Sequence, residues 1–288
     1  MAPDGTDRIG MVRVLITGAR GQLGSDLAAL LPDAVALGHE ELSITEPLAV
    51  ERAFATFRPE LVFNCAAYNA VDRAETDLGK PWAVNTLGPN TLAALSNRNG
   101  ARLVHFSTNF VFAGDAVRPY SETSRPRPLS NYGRTKLDGE RFVLGTSPDF
   151  LVIRSSGLFG VRGSQIKGGS FPERIIARAR AGDPIRVVSD QRLNPTFTGH
   201  LARAALGYVE AGLTGVVHAV AEGCCGFNDL AREALRLAGI DAEVQEITTA
   251  ELNAPAPRPL NGCLRSVRVE PLPPWREGLA EWWEGLGK

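Results

Sequence analysis

Long apolar runs are missing from this 288-residue sequence. None approaches the ~20 residues of a bilayer-spanning helix, so no membrane segment is expected. An excess of one charge is missing too. Lys and Arg total 31 against 32 Asp and Glu, with a net charge of -1. That balance gives no electrostatic footprint for nucleic acid or an anionic membrane. Cysteine is sparse: Cys65, Cys224, Cys225 and Cys263. Their spacing fits neither a disulfide framework nor a zinc site, so no metal is expected. Cys65, inside "LVFNCAA", reads as a small buried thiol, and Cys224–Cys225 as loop neighbours. The opening "MAPDGTDRIG" lacks the apolar region of a secretory signal, and residues 1–10 are expected to form a short loose tail. The expected setting is soluble, reducing and cytoplasmic. Internal repeats and low-complexity tracts are absent as well.

What is present is an alternation. Short β-branched runs at 12–18, 34–38, 60–67, 101–108 and 150–156 are separated by amphipathic stretches, with "PLAVERAFATF" and about 81–99 reading as helices. Further strands are expected at 185–190 and 215–220. Continuous apolar character marks strands covered on both faces. Strand, helix, strand in succession implies right-handed crossovers and an α/β, Rossmann-type doubly wound parallel sheet. After about residue 160 the pattern loosens into Gly-rich "GVRGSQIKGGSF" and Pro-rich "APAPRPLNG" and "PLPPW". The expected organisation is therefore a dinucleotide-binding domain over 11–160, also taking in about 185–212, and a smaller C-terminal substrate-binding lobe mainly over 161–288. "EWWEGL" reads as an amphipathic helix packed on the body of the chain or facing a partner.

"VLITGARGQLG" places Gly18, Gly21 and Gly24 between the first strand and the first helix. The first glycine permits a tight turn, the second lets backbone approach a pyrophosphate, and the third lets helix and strand pack closely. Free N–H groups at the helix start complete an anion site. A NAD site usually carries an acidic residue at the end of the second strand. Here that strand ends at Gly38–His39, which puts His39 on the cofactor side, and Glu40 and Glu41 follow as ribose ligands or solvated turn charges. Arg20 inside the turn is suited to a 2′-phosphate. The cofactor expected is NADPH, with NADH also open.

In "SNYGRTKLDGE", Tyr132 and Lys136 stand four apart and share a helix face. With 4 Tyr and four Lys in the chain, chance gives roughly 0.06 such pairs. The fourth strand ends in Ser107 and Thr108, and ligands of a doubly wound sheet bind at carboxyl ends. Reducing a ketone needs hydride on carbon and a proton on oxygen. A phenol is a poor acid at neutral pH, and a neighbouring ammonium would lower its pKa. Thr108 is placed to polarise a carbonyl oxygen.

"TGARGQLG", "NCAAYNAVDRAE", "STNFVF", "NYGRTKLDGE", "NPT" at 194–196, "RPLNGCLRS" and "WREGLAEWW" together resemble the extended short-chain dehydrogenase/reductases, and within them the dTDP-4-dehydrorhamnose reductase family. The resemblance runs from residue 12 nearly to the end. It implies catalytic roles for Thr108, Tyr132 and Lys136, and a pyrophosphate turn at Gly18, Gln22 and Leu23. It also implies an adenine wall at Ser43 and Ile44, where the family usually has Asp at the Ser43 position, and a cofactor-lining stretch at Ala66, Ala67 and Tyr68. The implied activity is NADPH-dependent reduction of the C4 ketone of a dTDP-4-keto-6-deoxy sugar, foremost dTDP-4-dehydro-L-rhamnose, by a monomer or homodimer. The alternatives are a reductase or epimerase of another nucleotide 4-ketosugar, and a non-catalytic subunit keeping the fold. On the sugar side Asn109 and Phe110 replace the usual Asp and Tyr, and Gly157 stands where Trp is usual. Lys167, Arg174, Arg192 and above all Arg258, in its Pro-framed loop, are candidates for the diphosphate. Asn64 and Asn85 sit near the carboxyl edge, where touching cofactor and capping a loop are equal readings. His105 and His218 read as core histidines, and Asp72, Glu75 and Asp77 as an acidic helix start.

Overall fold

Six short strands set the frame, each too apolar to face water. In the computed structural model, which describes residues 12–162 and 168–287, β1 (Val14–Thr17), β2 (Val35–Leu37), β3 (Leu61–Asn64), β4 (Arg102–Thr108), β5 (Leu151–Ser155) and a later strand, Gly215–His218, form one sheet. Every pairing is parallel, in the order β2-β1-β3-β4-β5 and then Gly215–His218. Successive side chains leave a strand on opposite faces, and the two cores divide accordingly. Ile16, Phe63, Val104 and Ile153 face α1 (Gln22–Leu30) and a helix at Thr198–Glu210. Leu15, Val62, Leu103 and Val152 face α2 (Pro47–Phe57) and α3 (Gly88–Arg98). Helix α2 starts at Pro47, where a fixed φ suits the first turn.

The helix expected over 81–99 is interrupted. A short turn at Gly79–Trp82 leads through a π-turn at Ala83–Leu87 into α3. Asn85 sits in the π-turn, accepting from Tyr68 N–H at 2.9 Å and donating to Tyr68 O at 3.0 Å. The following helix, α4 (Asn131–Thr146), is started by Ser130, whose hydroxyl accepts from Gly133 N–H at 3.1 Å.

The remainder of the chain holds β6 (Leu158–Phe159), α5 (Phe171–Ala181), β7 (Ile185–Val188), β8 (Arg192–Leu193) and β9 (Thr196–Phe197). After α6 (Thr198–Glu210) and β10 (Gly215–His218) it resumes with β11 (Cys225–Gly226), α7 (Phe227–Leu237), β12 (Val244–Ile247) and the C-terminal α8 (Trp275–Gly285). The stretch 185–212 divides: α6 covers the main sheet, whereas β7 pairs with β12 in a separate two-stranded sheet. Strand β10, from the portion expected in the smaller lobe, closes the main sheet instead. Trp282 is fully buried, with its indole N–H on Gly160 O at 3.0 Å, so this member of the Trp pair packs on the body.

One expectation is corrected outright. Cys224 and Cys263 are paired as a disulfide, with Cα atoms 6.0 Å apart across 39 residues of sequence. Sequence spacing could not foresee it, because the segments carrying them are far apart in sequence and are brought together beside β8, which joins β11 on one side and Asn261 on the other. Cys225 stays a buried free thiol. Among the described residues, no helix is long and apolar enough to cross a membrane.

Candidate active site

The strand order reverses between β1 and β3, and crevices for ligands open at such a switch point, outside the carboxyl ends. Gly18 stands there with φ 67°, and a Cβ on it would lie 2.6 Å from Ala66 N. Only glycine lets the two strand exits touch. Gly21 N–H closes the turn on Gly18 O at 3.0 Å. A Cβ on Gly24 would lie 2.4 Å from Gly18 O, so α1 presses against the turn. Gly21 caps α1 with no side-chain hydrogen bond, and the first turn holds no acidic residue. Its leading N–H groups and positive dipole end are therefore suited to an anion. Gln22 Oε1 is buried beside them without a partner.

At the end of β2, Arg20 reaches Glu41 Oε1 at 2.5 Å, and Glu41 Oε2 accepts from Gly38 N–H at 2.6 Å. The Gly38 hydrogen bond and then Arg20 hold the Glu41 carboxyl below its ordinary range. Glu41 is thus an exposed acid engaged at the strand end, with Arg20 next to it.

The reacting end is built on β4 and α4. A Cβ on Gly133 would lie 2.3 Å from Phe110 O, and one on Gly139 would lie 2.1 Å from Asn85 O. These two contacts seat α4 against the turn after β4 and against the π-turn. Tyr132, 9% exposed, lies near the Thr108 hydroxyl. Phe110 stacks edge-on against the phenol, with centroids 5.4 Å apart, and Tyr68 and Ala74 complete its apolar surround. Burial pushes the phenol up to about 12, opposed only by Thr108. The expected lowering by Lys136 is not seen. The lysine, on the same helix face, donates to Phe106 O at 2.7 Å and lies 3.4 Å from His105 Nε2. Burial brings Lys136 down to about 8, against the pull of Glu140 and Cys65. Beneath it Glu140 takes a multiple hydrogen bond from Arg154, the shortest at 2.6 Å, and another from the Ser107 hydroxyl. Both charges are nearly inaccessible, at 5% and 2%. This arrangement can hold a proton on a phenol beside a polarising hydroxyl in a largely dry site.

Residues 12–286 match the family described as RmlD substrate binding domain. The chain belongs to that family. Among its relatives, a probable dTDP-4,6-dihydroxy-2-methyloxan-3-one 4-ketoreductase of Streptomyces antibioticus is 42% identical over 94% of each chain. A dTDP-4-dehydrorhamnose reductase of Streptomyces griseus is 40% identical, over 93% of this chain and 92% of its own. The crystal structure of dTDP-4-dehydrorhamnose reductase from Bacillus anthracis in complex with NADP superposes with a TM-score of 0.90. It shares 31% identity and covers 95% of this chain and 99% of its own.

Within this RmlD fold the residues singled out by sequence fall into groups. Gly18, Arg20, Gly21, Gln22, Leu23, Gly24, His39, Ala66, Ala67 and Tyr68 belong to the turn and strand exits at the switch point. Ser43 bonds Thr45 at 2.8 Å, and the Ile44 side chain is buried over Gly88. Asn85 has its amide engaged by Tyr68 and Thr135, so it holds the 66–68 segment in place rather than facing the crevice. Asn109 donates to Gly262 O at 3.0 Å and accepts from Thr108, tying the turn after β4 to the loop at Gly262. Gly157, with φ 56°, is required by Leu193 and Asn194, which a Cβ would meet at 2.5 and 3.0 Å. Arg258 donates to Asp72 Oδ2 at 2.8 Å and to Ala256 O at 2.9 Å. Lys167 lies outside the described residues. Sequence reasoning missed the Glu140–Arg154 pair, although Glu140, one turn beyond Lys136, shares its helix face. It also missed the contact of His105 with Lys136, which no local pattern announces.

Proposed function

We propose that this chain is an NADPH-dependent reductase of the C4 ketone of a dTDP-4-keto-6-deoxy sugar, foremost dTDP-4-dehydro-L-rhamnose. The observation that carries this reading is the placing of the buried Tyr132 phenol near the Thr108 hydroxyl at the carboxyl end of β4, with Lys136 one helical turn on. The named reductases among the relatives, one crystallised with NADP, support it. The uncapped start of α1 and the Gly18 turn fit a pyrophosphate, Arg20 is the group suited to a 2′-phosphate, and the Glu41 carboxylate that holds it is suited to a ribose 2′-OH, so NADH stays open beside NADPH. When bound, the dinucleotide supplies the hydride. The protein's own part is acid catalysis and polarisation. Thr108 donates a hydrogen bond to the ketone oxygen, and Tyr132, kept protonated by burial, delivers the proton as charge develops there. Phe110 and Tyr68 keep water from the phenol. Lys136 then restores the proton through its own acid–base cycle. The same reading places the enzyme in the cytoplasm.

A second substrate has a specific observation in its favour. Phe110 and Gly157 depart from the usual sugar-side residues, and the Streptomyces antibioticus relative is named for a different 4-ketosugar. A panel of dTDP-4-ketosugars, scored by NADPH oxidation, separates the two. Tyr132→Phe should lower turnover of the preferred sugar by at least ~100-fold while NADPH titration stays within a few-fold of wild type. Undiminished turnover in that variant, or no NADPH oxidation with any ketosugar, rejects the reading.

A further inference from the structure

The segments around Cys224 and Cys263 are held together beside β8 by two separate devices. One is non-covalent. Asn194 donates to Ala221 O at 3.2 Å and to Gly223 O at 2.8 Å, and its Oδ1 accepts from Leu264 N–H at 2.8 Å. Arg192 adds two backbone bonds at 2.8 Å, from its N–H to Leu260 O and from Gly262 N–H to its carbonyl. The other device is the Cys224–Cys263 disulfide, which spans the same two segments. The fold therefore does not hang on that bond, and its reach is local. Gly262, next to Cys263, gives its carbonyl to Asn109 Nδ2 at 3.0 Å and to Ser156 Oγ at 3.3 Å. A Cβ on Gly262 would lie 2.3 Å from Asn109 Nδ2, so the backbone there presses directly on the amide. The other end of that amide, Oδ1, accepts from the Thr108 hydroxyl at 3.3 Å. A path of contacts thus runs from the sulfur bridge through Gly262 and Asn109 to Thr108.

We propose that the Cys224–Cys263 bond is a reversible redox site, cut by a dithiol and remade by a disulfide oxidant, whose closure holds the Gly262 carbonyl on Asn109 and through it the Thr108 hydroxyl. Cys224 is partly exposed, whereas Cys263 is 2% exposed, so Cys224 Sγ is the sulfur open to attack. In the first step a thiolate of the dithiol bonds to Cys224 Sγ, the S–S bond breaks, and Cys263 leaves as a thiolate and takes up a proton. In the second, the other thiol of the reductant attacks the mixed disulfide and Cys224 is released as a thiol. The dithiol ends as its own disulfide, and the two cysteines have gained two electrons and two protons. Oxidised glutathione runs the steps in reverse. Cys225 does not divert this exchange. Burial and then Asp229 push its thiol up to about 12, so it stays protonated and is a poor nucleophile. Disulfides in a reducing compartment are usually of this transient, redox-sensing kind. With the bond cut, Asn194 and β8 still keep the two segments together, but the segment at Cys224 no longer restrains Cys263, and the Gly262 carbonyl loses its fixed seat on Asn109. The effect on turnover rests on the reductase reading, because it acts through Thr108.

The test uses the whole chain, with its 4 Cys, in two states. After oxidised glutathione, thiol titration of the denatured protein should find only Cys65 and Cys225 free. After dithiothreitol all of the cysteines should react, and renewed oxidation should restore the first count. Hydrogen exchange read by mass spectrometry should be ~10-fold faster or more over 108–112 and 258–264 in the reduced protein, with β1 and β3 unchanged. In kinetics, reduction should lower kcat/KM for the dTDP-ketosugar by ~5-fold or more and leave the KM for NADPH unaltered. Cys224→Ser should behave as the reduced wild type and ignore dithiothreitol. Free Cys224 and Cys263 after oxidation, or exchange at 108–112 and 258–264 that is the same in both states, overturns the proposal. Loss of cooperative unfolding on reduction would make the bond a plain structural staple and overturn it as well. The thiol count and the exchange are read on the wild type without cofactor or sugar. A chain that oxidises no NADPH with any ketosugar therefore defeats the reductase reading alone, while these two measurements still decide the redox site.

Discussion

Lys136 is a cation held at 2% exposure, and that placement has a thermodynamic signature. Its folded pKa of about 8 lies below the ordinary 10.5. Between those values the unfolded chain binds the extra proton, so unfolding free energy rises with pH across that window. Below about 8 both states are protonated and the full cost, ~3 kcal/mol, is present. Lys136→Met keeps the length of the side chain and removes the charge. Its stability relative to wild type should be greatest near pH 7 and decline by up to ~3 kcal/mol as pH approaches 10, measured by denaturant midpoints at both ends. A difference that stays constant would mean that the folded lysine titrates normally. Tyr132 contributes with the opposite sign only above its ordinary value of 10, because its folded pKa is raised to about 12, so the window below 10 reports on the lysine.

At the scale of elements, α4 is placed by its glycines as much as by its apolar face. Within a helix, Gly→Ala ordinarily stabilises by ~0.5–1 kcal/mol. Gly145 has nothing within 4 Å of a built Cβ, and Gly145→Ala should show that gain. Gly133→Ala brings a methyl to 2.3 Å from Phe110 O, a backbone atom, so the helix must shift. It should cost ~1–3 kcal/mol and lower turnover through Tyr132. Thermal melts of the pair on one helix check this, and a Gly133→Ala as stable as Gly145→Ala would show that the seat is soft. The main strands were legible because each is covered on both faces and so reads as an unbroken apolar run, and α2 begins at Pro47 as its sequence says. The π-turn at Ala83–Leu87 was not legible. Asn85 within it clamps Tyr68, 17 residues away in sequence, and no local period carries that. Strand β7 looked like part of the main sheet because its apolar run is the same kind, and only its pairing with β12 tells them apart.

At the scale of the whole molecule, the C-terminal segments are fastened to one another and to the crevice by contacts between distant residues. Asn109 meets Gly262, Asn194 reaches Ala221, Gly223 and Leu264, and Arg258 meets Asp72. The glycine turn and the Tyr132–Lys136 spacing could be read from sequence because each lies within one turn of chain. These fastenings, like the links of His105 and Arg154, join segments that only folding brings together. Arg258 is the informative one. Its partner Asp72 also accepts from Ala256 N–H at 3.2 Å, so the Pro-framed loop is pinned over the segment whose Ala74 packs on Tyr132. The ion pair itself is partly exposed, 17% and 43% on its two side chains, and such pairs contribute ~0–1 kcal/mol. Arg258→Ala should therefore leave the melting temperature nearly unchanged. Under the reductase reading the loop it orders closes the sugar side of the crevice, so KM for the dTDP-ketosugar should rise ~10-fold or more, with kcat and the KM for NADPH little altered. Steady-state kinetics with each substrate varied in turn checks this. A large fall in melting temperature would instead make the pair a structural strap, and an unchanged sugar KM would remove the 256–258 loop from the substrate side.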